Sequence, residues 1–164
     1  MIAWLILGLV ALQRLGELVI ANRNTKALMA RGAVELGAGH YPLIVGLHLA
    51  WLVAIAVFLP HPEQISWWLL GLFILLQAAR VWVLATLGPY WTTRIITLPG
   101  APLVKRGPYR FVRHPNYFVV VGEIAVLPLV FGEVWVAALF SALNAAMLIW
   151  RIRAEEAALV ERRA

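Results

Sequence analysis

Cysteine is absent from these 164 residues, which excludes disulfides, thiolate nucleophiles and cysteine-ligated metal sites together. Charge is scarce too. Only 13% of residues are charged, against about 25% in an ordinary soluble domain. No glycine-rich phosphate or dinucleotide fingerprint occurs, which argues against a soluble Rossmann-type enzyme. There is no internal repeat and no low-complexity segment. What the chain does have is apolar: 63% hydrophobic residues and a mean hydropathy of +0.84. It reads as an integral membrane protein with room for about four to six spans of ~20 residues. The first apolar segment is too long for a cleaved signal peptide. The net charge of +6 does not point to nucleic acid, because the cations sit in particular loops, where orientation in a bilayer explains them.

The apolar runs predict an all-α protein with spans over 2–21, 41–59, 66–87, 117–131 and 134–150, then a polar tail over 151–164, all forming one membrane-embedded domain over 1–164. Loops 22–40 and 88–116 and the tail carry Arg and Lys, whereas turns 60–65 and 132–133 carry only Glu63 and Glu133. That alternation puts the N-terminus outside and both long loops and the C-terminus in the cytoplasm. In the first loop, Asn24 or Thr25 is a candidate cap for a short helix that Gly32 would end. In the second, Tyr90 to Leu98 reads as an extended arm turned back by Pro99-Gly100.

Polar residues within the spans need partners. Arg14 and Glu17 lie three apart on one helical face, and they read either as an internal ion pair or as a polar wall of a substrate cavity. Arg80 needs a counter-ion, for which Glu123 is the candidate, and His48 reads as a hydrogen bond between helices. Glu35, His40 and Tyr41 gather where the second span begins.

The densest polar run is Gly107-Pro-Tyr-Arg-Phe-Val-Arg-His-Pro-Asn-Tyr117. Pro108 and Pro115 push the residues before them out of helical geometry. The run therefore reads as an ordered connector presenting Tyr109, Arg110, Arg113, His114 and Tyr117 together. By composition alone it is a lipid-headgroup anchor. The topology puts it on the same side as Arg94 and the tail Arg151-Ile-Arg-Ala-Glu-Glu156. On a helix Arg151 and Glu155 share a face, and Glu156 points about 100° away.

A GPYRxxRHPxY run followed one helical hairpin later by RxxxEE resembles the isoprenylcysteine carboxyl methyltransferase family, integral-membrane enzymes that use S-adenosylmethionine and release S-adenosylhomocysteine. The resemblance covers Leu87 to Leu159. It implies that Tyr109, Arg113, His114, Pro115 and Tyr117 line a cytoplasmic cofactor pocket, which Arg151, Glu155 and Glu156 close from the tail. The chain stops sooner after RxxxEE than the eukaryotic enzymes do. Its run from Arg14 to Pro42 is similar to a small bacterial subgroup associated with type III polyketide synthases. That likeness implies a lipid-like acceptor, such as an alkylpyrone or another phenolic lipid, alongside the prenylated cysteine of the wider family.

Methyl transfer to oxygen mainly requires alignment and exclusion of water. An ionised carboxylate or enol needs no base. A phenol does, for which Glu35 and His40 are the catalytic candidates, with Arg14, Glu17 and Tyr41 flanking the acceptor. The alternative is a small transporter or lipid-binding membrane protein, with Arg14, Glu17, Arg80 and Glu123 as a polar pathway. That reading leaves the coincidence of RHPNY and RxxxEE on one side unexplained. A metal centre built from His40, His48, His61 and His114 fails, because His61 belongs to the opposite side and no pair has ligand spacing.

Overall fold

Apolar stretches without proline beyond the first turn form long helices. They are α1 (Ile2–Met29), α2 (Tyr41–Phe58), α3 (Trp67–Leu87) and, after a shorter α4 (Pro115–Val130), α5 (Val134–Val160). The computed structural model describes every residue except 37, 38, 40, 102, 103 and 161–164, with side chains as far as Arg153. Four helices are long and apolar enough to cross a membrane, and α4 is apolar but shorter. At 16 residues, α4 reaches about 24 Å, short of the ~30 Å hydrocarbon core. Nine of those residues are buried, because α3 and α5 pack along it. The chain is a multi-pass membrane protein.

Two boundaries differ from expectation. The first helix does not break near Ala21 for a separately capped segment; α1 runs on to Met29. Nothing in Asn22 to Met29 is a glycine or proline, and Lys26 in the last turn complements the helix dipole. Gly32 (φ 85°) turns the chain away, and the Ala33 N–H donates back to the Leu28 carbonyl at 3.1 Å. Asn24 is no cap. Its amide donates to the carbonyls of Gly88 (3.0 Å) and Trp91 (2.8 Å), tying α1 to the exit of α3. The second difference is that Pro115, Asn116 and Tyr117 are the first turn of α4, not a connector. Proline at the first helical position gives up an N–H that has no helical partner anyway.

Pro128 inside α4 leaves the Ile124 carbonyl without its helical donor. Trp51 of α2 supplies the replacement, its indole N–H reaching that carbonyl at 3.2 Å. Trp51, Ile55, Ile124, Leu127 and Phe131 are almost fully enclosed and form the apolar core. Among the described residues His48 makes no hydrogen bond between helices. It bonds the Ile44 carbonyl one turn back at 2.9 Å and sets its ring edge-on to Trp51. Leu5, Leu9, Val53, Leu75 and Leu139 are exposed and supply lipid-facing surface.

The two long loops meet in a ribbon, β1 (Val34–Leu36) antiparallel to β2 (Ile95–Thr97), with Glu35 opposite Ile96. β2 matches the extended arm expected there; its pairing partner was not foreseen. A 3-10 turn at Gly107–Arg110 leads toward α4. Gly107 there has φ +55°, and an added Cβ would lie 2.5 Å from Thr86 Oγ1, so only glycine lets this turn sit on the end of α3.

At the opposite end Trp67, Trp68 and Trp135 are exposed, as interfacial tryptophans are. The Met1 ammonium pairs with Glu63 there. Glu133 is buried, neither carboxylate oxygen has a hydrogen-bond partner among the described residues, and burial pushes its carboxyl up to about 7. The folded protein then holds a proton that the unfolded chain releases near pH 4.5, so stability should fall as pH rises from about 5 to 7. Melting curves in detergent across that range should show this decline in the wild type and a flatter profile in Glu133→Gln.

Candidate functional site

The ribbon brings the polar ends of four elements together. Arg94, just ahead of β2, donates from Nη1 to both oxygens of Glu35 on β1, at 3.0 and 3.1 Å. Its guanidinium also lies over the ring of Tyr41, the first residue of α2, 4.4 Å from the centroid, a cation–π contact that fixes its plane. The neighbouring Thr93 donates its hydroxyl to the Tyr41 oxygen at 3.2 Å. Arg151, far along α5, closes the group. Its Nε donates to the Tyr117 hydroxyl at 2.9 Å and its Nη2 to the Thr93 carbonyl at 2.8 Å. Tyr117 in turn stacks on His114, ring centroids 5.3 Å apart and planes 21° apart.

A chain of contacts thus runs from Glu35 through Arg94, Tyr41, Thr93 and Arg151 to Tyr117 and His114. Among the expected site residues, Glu35, Tyr41, His114, Tyr117 and Arg151 come together. Pro115 is buried as the first residue of α4, and Arg113 stands exposed just before it. Tyr109 packs against the small cluster of Ala21, Val83 and Trp91. Arg110 lies over the ring of Phe111 instead. Glu155 and Glu156 continue the helix of α5 in line with Arg151, but their side chains lie outside the described residues, as does His40 altogether.

Arg14 and Glu17 belong to a second cluster, within the bundle. Arg80 donates to Glu17 at 2.6 Å and to Glu123 at 2.9 Å. Arg14 reaches Glu123 at 2.8 Å and Glu17 at 3.3 Å. Gln13 and Gln77 donate to Glu17 (3.1 Å) and Glu123 (2.8 Å). The expected Arg80–Glu123 pair is present as half of a square. Two guanidinium and two carboxylate groups cancel formally, which is how charges persist inside a membrane bundle.

Two contributors were missed from the sequence. Thr93 carried no signal, since its role comes from a backbone carbonyl and a hydroxyl. Asn116 lies inside the RHPNY run, and its buried Oδ1 has no partner among the described residues. A buried acceptor left open beside a stacked His–Tyr pair suits a ligand N–H donor. With guanidinium donors and aromatic faces around it, this end of the bundle offers the groups that a zwitterionic ligand with an aromatic base needs.

The sequence profile of the isoprenylcysteine carboxyl methyltransferase family matches residues 69–161. That span takes in nearly all of α3, the second loop, α4 and the whole of α5. Over 162 residues the chain is 40% identical to the uncharacterized protein YpbQ of Bacillus subtilis, covering 96% of each. It is also 30% identical over 152 residues to an uncharacterized protein of Haemophilus influenzae, covering 89% of this chain and 88% of that one. No solved structure matches.

Proposed function

The chain belongs to the isoprenylcysteine carboxyl methyltransferase family of membrane methyltransferases, and on that premise we propose an S-adenosylmethionine-dependent O-methyltransferase acting on a lipophilic acceptor at a bacterial inner membrane. The observation that carries this reading is the contact of Arg151 with Tyr117 and Thr93. It joins the tail motif to the RHPNY turn and to the ribbon.

Bound S-adenosylmethionine supplies an electrophilic methyl group on a sulfonium. In this reading His114 and Tyr117 give it an aromatic wall, and electron-rich ring faces favour a cation beside them. The exposed Arg113 is the fork for its carboxylate. The open Asn116 Oδ1 accepts from an amino group. Glu155 and Glu156, following Arg151 on α5, serve the ribose hydroxyls or the amine. Tyr109, anchored on Trp91, sets the path of the connector, and Pro115 fixes where α4 begins. The acceptor arrives sideways from the bilayer with its oxygen near Glu35 and Tyr41, while the cofactor comes from the cytoplasm. Alkylpyrones and prenylated cysteines are both acceptors of this kind.

The test is methyl transfer itself. Membranes from cells overproducing the protein, given S-adenosylmethionine labelled in the methyl group, should pass label into organic-extractable lipid. Membranes carrying His114→Ala at equal abundance should not. Equal labelling of both, or none from either when alkylpyrone and prenylcysteine acceptors are added, would contradict the reading.

A further inference from the structure

The run leading into α4 has two environments. His114, Asn116 and Tyr117 are half-buried and belong to the site above. Lys105, Arg106, Arg110, Phe111 and Val112 stand exposed. Phe111 is 72% exposed and Phe118, in the first turn of α4, 69%, an unfavourable state for phenyl rings in water. The Arg110 guanidinium lies 5.6 Å from the centroid of the Phe111 ring, so a cation and an apolar side chain share one surface. No acidic residue occurs between Glu63 and Glu123. Among the described residues neither Lys105, Arg106 nor Arg110 makes an ion pair. Arg106 reaches only a carbonyl, that of Thr86, at 3.5 Å.

The depth of this surface identifies what covers it. The far end of α4 leads by a short turn to Val134 and the exposed Trp135, a residue of the opposite interface. Measured from there, α4 rises about 24 Å, and its start at Pro115 falls roughly 6 Å short of the other edge of a ~30 Å hydrocarbon core. Arg110 to Val112, just ahead of that start, therefore lie at the boundary itself, where apolar side chains meet acyl chains and cations meet phosphates. A soluble anion would satisfy the cations and leave Phe111 and Phe118 in water. A phospholipid covers both.

We propose that Lys105, Arg106 and Arg110, together with Phe111 and Phe118, form a binding face for anionic phospholipid. The lipid phosphate is held against the cations and the acyl chains lie along the phenyl rings. Zwitterionic lipid fits less well, because its own ammonium group opposes the three cations. Arg113 is left to the cofactor in the function proposed above, and the lipid face does not depend on that reading.

Native mass spectrometry of the full chain, purified in detergent and given equimolar phosphatidylglycerol and phosphatidylcholine of identical acyl chains, tests this. The wild type should retain phosphatidylglycerol in at least about tenfold preference. Arg110→Gln should lower that preference about fivefold, the effect of one cation near an anionic lipid surface, and Lys105→Gln should act in the same direction. Arg153→Gln, which removes an exposed cation from α5 at the same end, should leave the preference within about twofold of wild type. Phe111→Ser should weaken both lipids together and keep their ratio. Equal retention of the two lipids by the wild type overturns the proposal. So does an equal loss in Arg110→Gln and Arg153→Gln, which would show only the general attraction of a basic surface. Inorganic phosphate that displaces the lipid more strongly than chloride at the same ionic strength would also overturn it, and would assign the face to a soluble anion.

Discussion

Arg80→Ala should cost about 3–5 kcal/mol of stability, the usual penalty for removing one partner from a buried ion pair. Arg80 is 6% exposed and donates to both Glu17 and Glu123. Its loss leaves two carboxylates facing one guanidinium, Arg14, inside the bundle. Glu123→Ala should do comparable damage in the opposite sense, leaving two cations with Glu17 alone. The double change Arg80→Ala/Glu123→Ala restores formal neutrality and leaves Arg14 with Glu17, their contact being 3.3 Å. The double variant should therefore be more stable than either single one, a coupling that a double-mutant cycle reads directly. Thermal unfolding of the four proteins in one detergent supplies the numbers. Losses that simply add would show that the square is not a unit.

Arg151→Ala should remove most of the methyl transfer, on the order of a hundredfold or more in kcat/KM, while leaving the melting temperature near that of the wild type. The side chain is half-buried, and one edge of its guanidinium, Nε and Nη2, holds the Tyr117 hydroxyl and the Thr93 carbonyl side by side. Losing it frees the ribbon from the RHPNY turn, so the two halves of the site lose their mutual alignment, which is where most of a displacement enzyme's advantage lies. Arg151→Lys keeps the charge but not two donors at a fixed angle, and should recover only part of the rate. Tyr117→Phe removes one of the two bonds and keeps the stacking on His114, so its loss should be smaller than that of Arg151→Ala. A fully active Arg151→Ala would break the link between tail and turn on which the proposed function depends.

The helices were legible because hydrophobic length is a direct physical requirement of a bilayer. The boundaries that slipped were those where a polar segment stays helical without lipid to demand it. Asn22 to Met29 looks like a loop by charge, yet it has nothing that breaks a helix, and α1 simply continues. Pro115 looks like a breaker, but at the first position it is a helix starter. The Arg80–Glu123 partnership could be inferred because a lone charge in a span needs an opposite one. That Arg14 and Glu17 complete it required knowing how α1, α3 and α4 face each other. The ribbon was out of reach for a related reason. Val34 to Leu36 is too short to stand out in a sequence, and its pairing with Ile95 to Thr97 spans a long stretch of chain. With the ribbon unseen, the tie between Glu35 and Arg94 could not be read. The order of His114, Tyr117 and Arg151 along the chain is distinctive enough to single them out, and in the structure they are in contact. Asn116 was overlooked, since only burial without a partner marks it.

In the proposed function, the end of the bundle built from the RHPNY turn, the ribbon and α5 holds S-adenosylmethionine. Calorimetric titration of the detergent-purified protein with S-adenosylhomocysteine, beside the Glu156→Ala variant, tests it most directly. Saturable binding is expected in the wild type, and its loss in a variant still folded by its melting curve. A folded wild type that takes up no S-adenosylhomocysteine would contradict it, and would favour a membrane protein that binds or moves lipid without catalysis.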